Sequence, residues 1–465
     1  MYLIIEIPDT YHQEREYIIS LLMHDFLGLK YEIIYMNRKN IRITKGNDSC
    51  QKEILLPDIL FQTPESLWLT HESLPVLPLH EWNTRDLSLD FPLISFDVPI
   101  IYGDHLNFAR SMKSISLPID IFGSSFFMLT RYEEIMQTDR DNLDRFPATS
   151  SIAYKAGFLE RPIIDEYVEI LWACLKIMWP DLKRKMSQFV QKVSCDVDTP
   201  SRYAFNGWLH MMKNVVIDVI KHQDIRSLVI GPKVWLVSNE FLDPGDPYNT
   251  FQWMMDVFDD HMIKGSFYFI AGWTDKTKKQ QYDITMPAIR KLLVNIHERG
   301  HEIGLHPSHK TYKNNDLLVS ESSRLRSVCA EEGIYQNIWG GRMHWLRWET
   351  PTTLYGLEKA GLAYDNTLTY ADKAGFRCGT CREFPAFDPV KKRRFNLLIR
   401  PLIVMEGTVI GRKYMGLGFS EHAYNCICRL KNACRVVNGT FSILWHNSKL
   451  RTKKERRFFQ AVLEA

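Results

Sequence analysis

Val193-Ser194-Cys195-Asp196-Val197-Asp198 is a short run of small and β-branched residues that closes on two carboxylates, and its form recurs along the second part of the chain. Gly265-Ser266-Phe267-Tyr268-Phe269-Ile270, Glu302-Ile303-Gly304-Leu305-His306 and Phe441-Ser442-Ile443-Leu444-Trp445-His446 are built alike. Each reads as a strand. Between them, Ile289, Leu292, Leu293 and Ile296 repeat at helical spacing, and Gly300 stands where a helix C-terminal glycine is expected. Strands alternating with helices imply a parallel sheet, and in such folds active sites gather at the carboxyl ends of the strands. The polar residues at those ends are Asp196, Asp198, His306 and His446.

Upstream the pattern differs. Leu3-Ile4-Ile5-Glu6-Ile7 and Tyr31-Glu32-Ile33-Ile34-Tyr35 read as strands, residues 57–102 are loop-like and rich in Pro, and a helical stretch around Asp165 to Trp172 ends at Trp179-Pro180. The charged run Asp181-Leu182-Lys183-Arg184-Lys185 follows, and Pro with charge marks a linker. The expected organisation is a smaller α+β domain over residues 1–185 and an α/β domain over residues 190–465.

The whole chain has 465 residues, with 58 Lys and Arg against 55 Asp and Glu, a formal net charge of +3. That balance argues against nucleic-acid binding. Hydrophobic residues make up 45% and charged residues 24%, which is ordinary for a folded globular protein and excludes long disorder. No window approaches the roughly 18 consecutive apolar residues of a membrane span. MYLIIEIPDT at the amino terminus has a five-residue apolar run and no basic leader, so it reads as a strand, and the expected location is the cytoplasm. Nine scattered Cys suit reduced thiols. The oligomeric state is left open.

Two residues apart on a strand, Asp196 and Asp198 share a face. Such close carboxylates call for a cation between them or an Arg beside one. The competing reading has Asp198 capping a helix that begins at Thr199-Pro200. His306 and His309 lie in a His-rich segment, and Asp198 with two histidines would make a three-ligand site of the kind that leaves zinc an open position. His301, at the start of its strand, reads as structural. His446 suits a general acid near neutral pH, or a buried histidine with ordinary hydrogen bonds.

GHEIGLHPSH (residues 300–309), GGRMHWLRW (340–348) and LWHNS (444–448), following the DxD at 196–198, resemble in order the motifs of the polysaccharide deacetylase family of carbohydrate esterases, in its DxD branch. The stretch from Tyr364 to Asp388 is similar to one found in that branch, and the likeness spans most of residues 190–450. Residues 90–172, through IFGSSFFMLTRYEE (121–134) and the segment from Asp144 to Trp172, resemble an N-terminal companion domain of uncharacterised role. The resemblance implies an irregular (β/α) barrel of about seven strands and a divalent metal ion, zinc first among candidates. Asp196 matches the catalytic base, Asp198 and His306 match metal ligands, Arg342 matches the arginine that pairs with the base, and His446 matches the acid that protonates the departing amine. The family spaces its ligand histidines four apart, whereas His306 and His309 are three apart with Pro307 between, so the third ligand is His309 or His344.

The expected activity is therefore metal-dependent removal of acetyl from an N-acetylated sugar in a bacterial polysaccharide or its precursor. The alternatives are a catalytically silent glycan-binding or assembly protein, and a hydrolase of a non-sugar amide or cyclic imide. Cys378-Gly379-Thr380-Cys381 reads as packing, since no second CxxC accompanies it. Lys391 to Arg394 and Lys453 to Arg457 read as solvated surface rather than contacts to phosphate or an anionic membrane. Trp339, Trp345, Trp348, Tyr364 and Tyr370 read equally as a sugar-stacking wall or as core.

Overall fold

The computed structural model describes residues 2–46, 48, 50–103, 108–237, 240–274 and 282–465. Two large sheets organise them. The first takes β1 (Leu3–Pro8), β2 (Tyr31–Met36), β3 (Asn40–Lys45), β4 (Glu53–Pro57), β7 (Ala109–Arg110) and β8 (Ser114–Ser116) in the order β2-β1-β3-β4-β8-β7, and β5 (His80–Asn83) pairs separately with β6 (Asp97–Ile100). Leu3, Ile5 and Ile7 alternate inward on β1, as the period of two requires. Helices Ile121–Leu129 and Ile163–Met178 pack against this part. The second helix opens with Asp165 and Glu166, which suit the positive end of its dipole, and its buried acids meet Arg382, Arg161 and Arg184.

The second sheet has nine strands: β9 (Val190–Val197), β10 (Ser266–Phe269), β11 (Glu302–Leu305), β12 (Gly340–Gly341), β13 (Tyr364–Asp365), β14 (Phe384–Asp388), β15 (Arg393–Ile399), β16 (Val404–Met405) and β17 (Thr440–Leu444). Their order is β14-β15-β13-β12-β11-β10-β9-β17-β16, and among these pairings only β14 runs antiparallel to its neighbour. Against the irregular barrel of about seven strands expected above, the hydrogen-bonded order runs through nine strands from β14 to β16, and no pairing between β14 and β16 occurs among the described residues. What holds is a mixed α/β fold around a parallel sheet. β12, β13 and β16 are two residues long, too short to carry a period-two signal. At β12, a Cβ on Gly340 would run into the Tyr364 ring, so glycine is what lets β13 approach.

Helix Pro287–Glu298 buries Ile289, Leu292, Leu293 and Ile296, starts on a proline at its first position and is followed by Gly300 at φ +78°. Thr199-Pro200 does not open a helix: the next one is Trp208–His222, so Asp198 is not a cap. The two parts of the chain share one contiguous apolar core. The Tyr17 ring stacks on Phe387 at 4.6 Å and its hydroxyl donates to Pro385 O at 2.8 Å. All nine Cys are free; Cys378 and Cys381 are buried, and Cys381 N donates to Asp165 Oδ2. Among the described residues, no helix is long and apolar enough to cross a membrane.

Candidate active site

The residues of the site lie at or just beyond the carboxyl ends of strands in the parallel array. Asp196 sits near the end of β9, with Asp198 one residue beyond it; His306 follows β11, Arg342 follows β12, Asn366 follows β13, Glu406 follows β16, and His446 lies two residues past β17. Because β13, β12, β11, β10, β9, β17 and β16 are sequential neighbours, these ends meet on one rim.

Asp198, His306 and His344 converge there, with one donor atom from each lying within 4.8 Å of the others. Asp198 Oδ1 is 3.2 Å from His306 Nε2 and 3.6 Å from His344 Nε2. His306 Nδ1 donates to Arg342 O at 2.7 Å, so Nε2 is the ring atom turned to the carboxylate. Burial presses His344 down to about 4, so this imidazole is neutral at pH 7 with a lone pair to give. Asp198 Oδ1 is buried and receives no hydrogen bond. A carboxylate oxygen and imidazole lone pairs aimed at one point are a donor set that fits a divalent cation such as zinc.

Of the two histidines offered for the third position, it is His344 that joins Asp198 and His306, and His309 lies outside this cluster. Pro307 O accepts from His344 N, and Arg347 Nη1 donates to His309 O at 2.9 Å while the same guanidinium sits 3.8 Å over the Tyr312 ring. Those contacts hold the His309 loop beside Trp345, ring centroids 4.7 Å apart, and outside the converging set. His344 reaches it because Trp345 and Leu346 adopt consecutive left-handed conformations, φ 60° and 58°, which turn the segment just after it.

On one side of the three donors stands Asp196, 3% exposed, its Oδ1 accepting from Arg342 Nη1 at 2.7 Å. Arg342 is fully buried and fixed on every nitrogen: Nε donates to Asn366 O, and Nη2 donates to Ser194 Oγ and to Asn366 Oδ1. Its guanidinium also lies 4.9 Å over the Tyr268 ring. Also beside the donors stands His446, whose Nδ1 donates to Glu406 Oε1 at 2.6 Å and whose Nε2 lies 3.6 Å from Asp198 Oδ2. Burial alone would lower His446, but the adjacent Glu406 carboxylate outweighs it and lifts the ring to about 9.

The donors open into a cavity of about 440 Å³. Its wall includes Trp345, Leu346, Met405 and Tyr414, and also Leu143 and Arg145 from the first part of the chain. Arg145 donates to Trp345 O at 3.0 Å and to Tyr414 Oη at 3.1 Å, so it braces two wall residues. Of the five aromatics singled out in the sequence, Trp345 lines this cavity, whereas Trp348, Tyr364 and Tyr370 are buried. His301 is buried at the start of β11, where its Nδ1 accepts from Gly265 N.

Sequence reading missed Glu406, Asn366, Ser194, Leu143 and Arg145. Glu406 follows a two-residue strand, and the others act through tertiary contacts 24 to 269 positions away along the chain, for which a single sequence carries no local signal.

A family of unknown function, DUF7033, matches residues 3–180. No curated protein matches the chain. Among solved structures, the chain is similar to a Mycobacterium smegmatis protein assigned as a polysaccharide deacetylase, at 14% identity and a TM-score of 0.38, over 62% of this chain and 85% of that one. It is similar to the PuuE allantoinase at 12% identity and a TM-score of 0.35, over 60% and 84% of the two chains. A Pseudomonas aeruginosa PAO1 protein assigned as a polysaccharide deacetylase gives 13% identity and a TM-score of 0.33, over 60% and 84%.

Proposed function

We propose that this chain is a metal-dependent amide hydrolase that removes the acetyl group from an N-acetylated sugar of a bacterial glycan or its precursor. The observation that carries the reading is the presence of two proton-handling groups beside one three-donor centre: Asp196, aimed by a buried arginine, and His446, backed by a buried glutamate. A surface that only binds glycan has no need of both.

Asp198, His306 and His344 are the residues that would hold the ion. Bound there, a divalent ion supplies a Lewis acid for the carbonyl and makes water a better nucleophile near neutral pH. Asp196 takes the proton of the attacking water at Oδ2, the oxygen that Arg342 leaves free, and Arg342 fixes the direction in which that oxygen points. His446 carries its proton at Nε2, toward the cavity. An amide nitrogen departs poorly unless protonated, and an imidazole lifted to about 9 holds the proton ready at neutral pH. Trp345, Leu346 and Met405 supply apolar wall against which a sugar ring and a methyl group pack. The sugar assignment draws on the motif resemblance; the hydrolase assignment draws on the centre itself.

Metal content is the direct test. After equilibration with zinc or cobalt, the parent should hold about one equivalent per chain, and Asp198→Ala, His306→Ala and His344→Ala should each lose most of it, by about 10–100-fold in affinity or more. His309→Ala should keep it. Loss in His309→Ala with retention in His344→Ala would reverse the third-ligand assignment, and no metal in the parent would leave the glycan-binding reading. With metal established, release of acetate from N-acetylated saccharides, measured beside ring opening of cyclic imides, decides the substrate class.

A further inference from the structure

Helices Trp208–His222 and Ser227–Val237 form a hairpin inserted after β9, on the same rim as the cavity. Their inner faces close a small core of their own, Met211, Val215 and Val234 with Tyr203 and Ala204, separate from the main core. The outer faces are apolar as well. On the first helix Trp208, Met212, Val216 and Ile220 recur at four-residue spacing with Leu209 beside them, so they make one stripe, and Ile220 is 76% exposed. On the second, Val229 and Leu236 are each 73% exposed, and Ile225 in the turn is exposed as well. Helices packed on one side and apolar on the other have a second surface to satisfy, and a contiguous exposed patch of this kind marks an interaction site.

Charge selects the occupant. The hairpin carries Lys213, Lys221, Arg226 and Lys233 against two acids, Asp218 and Asp224. Asp218 is buried near the turn, where Arg202, Tyr203 and Arg451 pair with it, and Asp224 is paired with Arg226. Lys233 meets Asp243 from outside the hairpin, which leaves Lys213 and Lys221 exposed along the apolar stripe. Lys453-Lys454 starts two residues after Arg451, within about 7 Å of backbone from a residue bound to the hairpin near its turn. Apolar side chains rimmed by cations are the pattern of helices that lie in the headgroup plane of an anionic bilayer. A second copy of this chain would bring the same cations face to face. We propose that the hairpin seats its outer apolar face in an anionic membrane surface. The base is tied to the site, since Asn447, next to His446, donates to Thr199 O and Tyr248 O on the segments flanking the hairpin. Seating would bring the part of the chain that carries the cavity to the membrane, suited to a substrate displayed on lipid or in the layer against it.

The test is flotation of the full chain with phosphatidylcholine vesicles and with vesicles containing about one third phosphatidylglycerol. The parent should float with the anionic vesicles and stay behind with the neutral ones. Ile220→Asp with Val229→Asp and Leu236→Asp should lower the bound fraction roughly tenfold or more, with unchanged circular dichroism and metal content. Should that variant not fold, Lys213→Glu with Lys221→Glu should weaken binding to anionic vesicles in the same direction. The proposal falls if the parent ignores both vesicle types, if the variants float as the parent does, or if the parent sediments as a dimer that the triple variant dissolves, which would give the face to a second copy. Vesicle binding needs no turnover, so Asp196→Asn should float as the parent does whether or not the hydrolase reading stands.

Discussion

Asp196→Asn should lower acetamide turnover by about 10²- to 10⁴-fold, the contribution of a positioned general base, while its metal content stays at the parent's level. The reason is a division of labour between two carboxylates two residues apart. Asp198 turns Oδ1 to the imidazoles of His306 and His344, whereas Asp196 gives Oδ1 to Arg342 and keeps Oδ2 for the cavity. A carboxamide preserves the shape and leaves Arg342 with Ser194 Oγ, Asn366 O and Asn366 Oδ1 as acceptors, but it takes no proton. Acetate release and metal analysis on the same preparation read the two effects separately. Loss of metal in the variant would move Asp196 into the ligand set, and turnover within a few-fold of the parent would assign the base elsewhere.

How much of this centre can be read from sequence depends on how each residue is held. Asp196, Asp198, His306 and His446 end strands long enough to show their periodicity, so their arrival on one rim follows from alternation and parallel order. Arg342 follows a strand of two glycines and is visible only through its motif. The choice between His309 and His344 could not be made by spacing, because it turns on Pro307, on Arg347 binding the His309 carbonyl, and on the left-handed turn at Trp345 and Leu346. Glu406 and Arg145 are tertiary facts. So is the strand count, since several of the strands are two residues long. The exposed stripe of the hairpin was present in the sequence as ordinary helical periodicity, but burial alone tells which of its two apolar faces meets a core.

Glu134→Ala should be among the most destabilising single changes in the molecule, because Glu134 lies where the two parts of the chain meet and neutralises two buried arginines. It is fully enclosed, with Oε1 accepting from Arg377 Nε at 2.8 Å and Arg131 Nε at 2.9 Å, and Oε2 accepting from Arg377 Nη2 at 2.6 Å. Removing it leaves Arg131 with Glu133 but strips Arg377 of its carboxylate, and an uncompensated buried charge costs about 3–5 kcal/mol. Arg377 Nη1 also donates to Thr369 O, three residues from the Asn366 that holds Arg342, so the loss should reach activity as well. The ion pair gives the effect a pH signature. Burial would raise the Glu134 carboxyl, but Arg377 and then Arg131 outweigh it and hold it at about 2, against 4.5 for the unfolded chain. With the folded value depressed, the unfolded chain binds the proton first. The stabilisation is therefore complete above about pH 5 and is lost as pH falls from about 4.5 toward 2, for a total of about 3 kcal/mol. Urea denaturation of the parent and the variant at about pH 6 and about pH 3 should show their midpoints drawing together on acidification. Glu134→Gln with Arg377→Met should recover part of the loss, because it removes the charge that Glu134→Ala leaves buried. A loss under about 1 kcal/mol in Glu134→Ala, or midpoints that keep their separation at low pH, would show that Arg377 finds another anion and that this ion pair is not what joins the two parts.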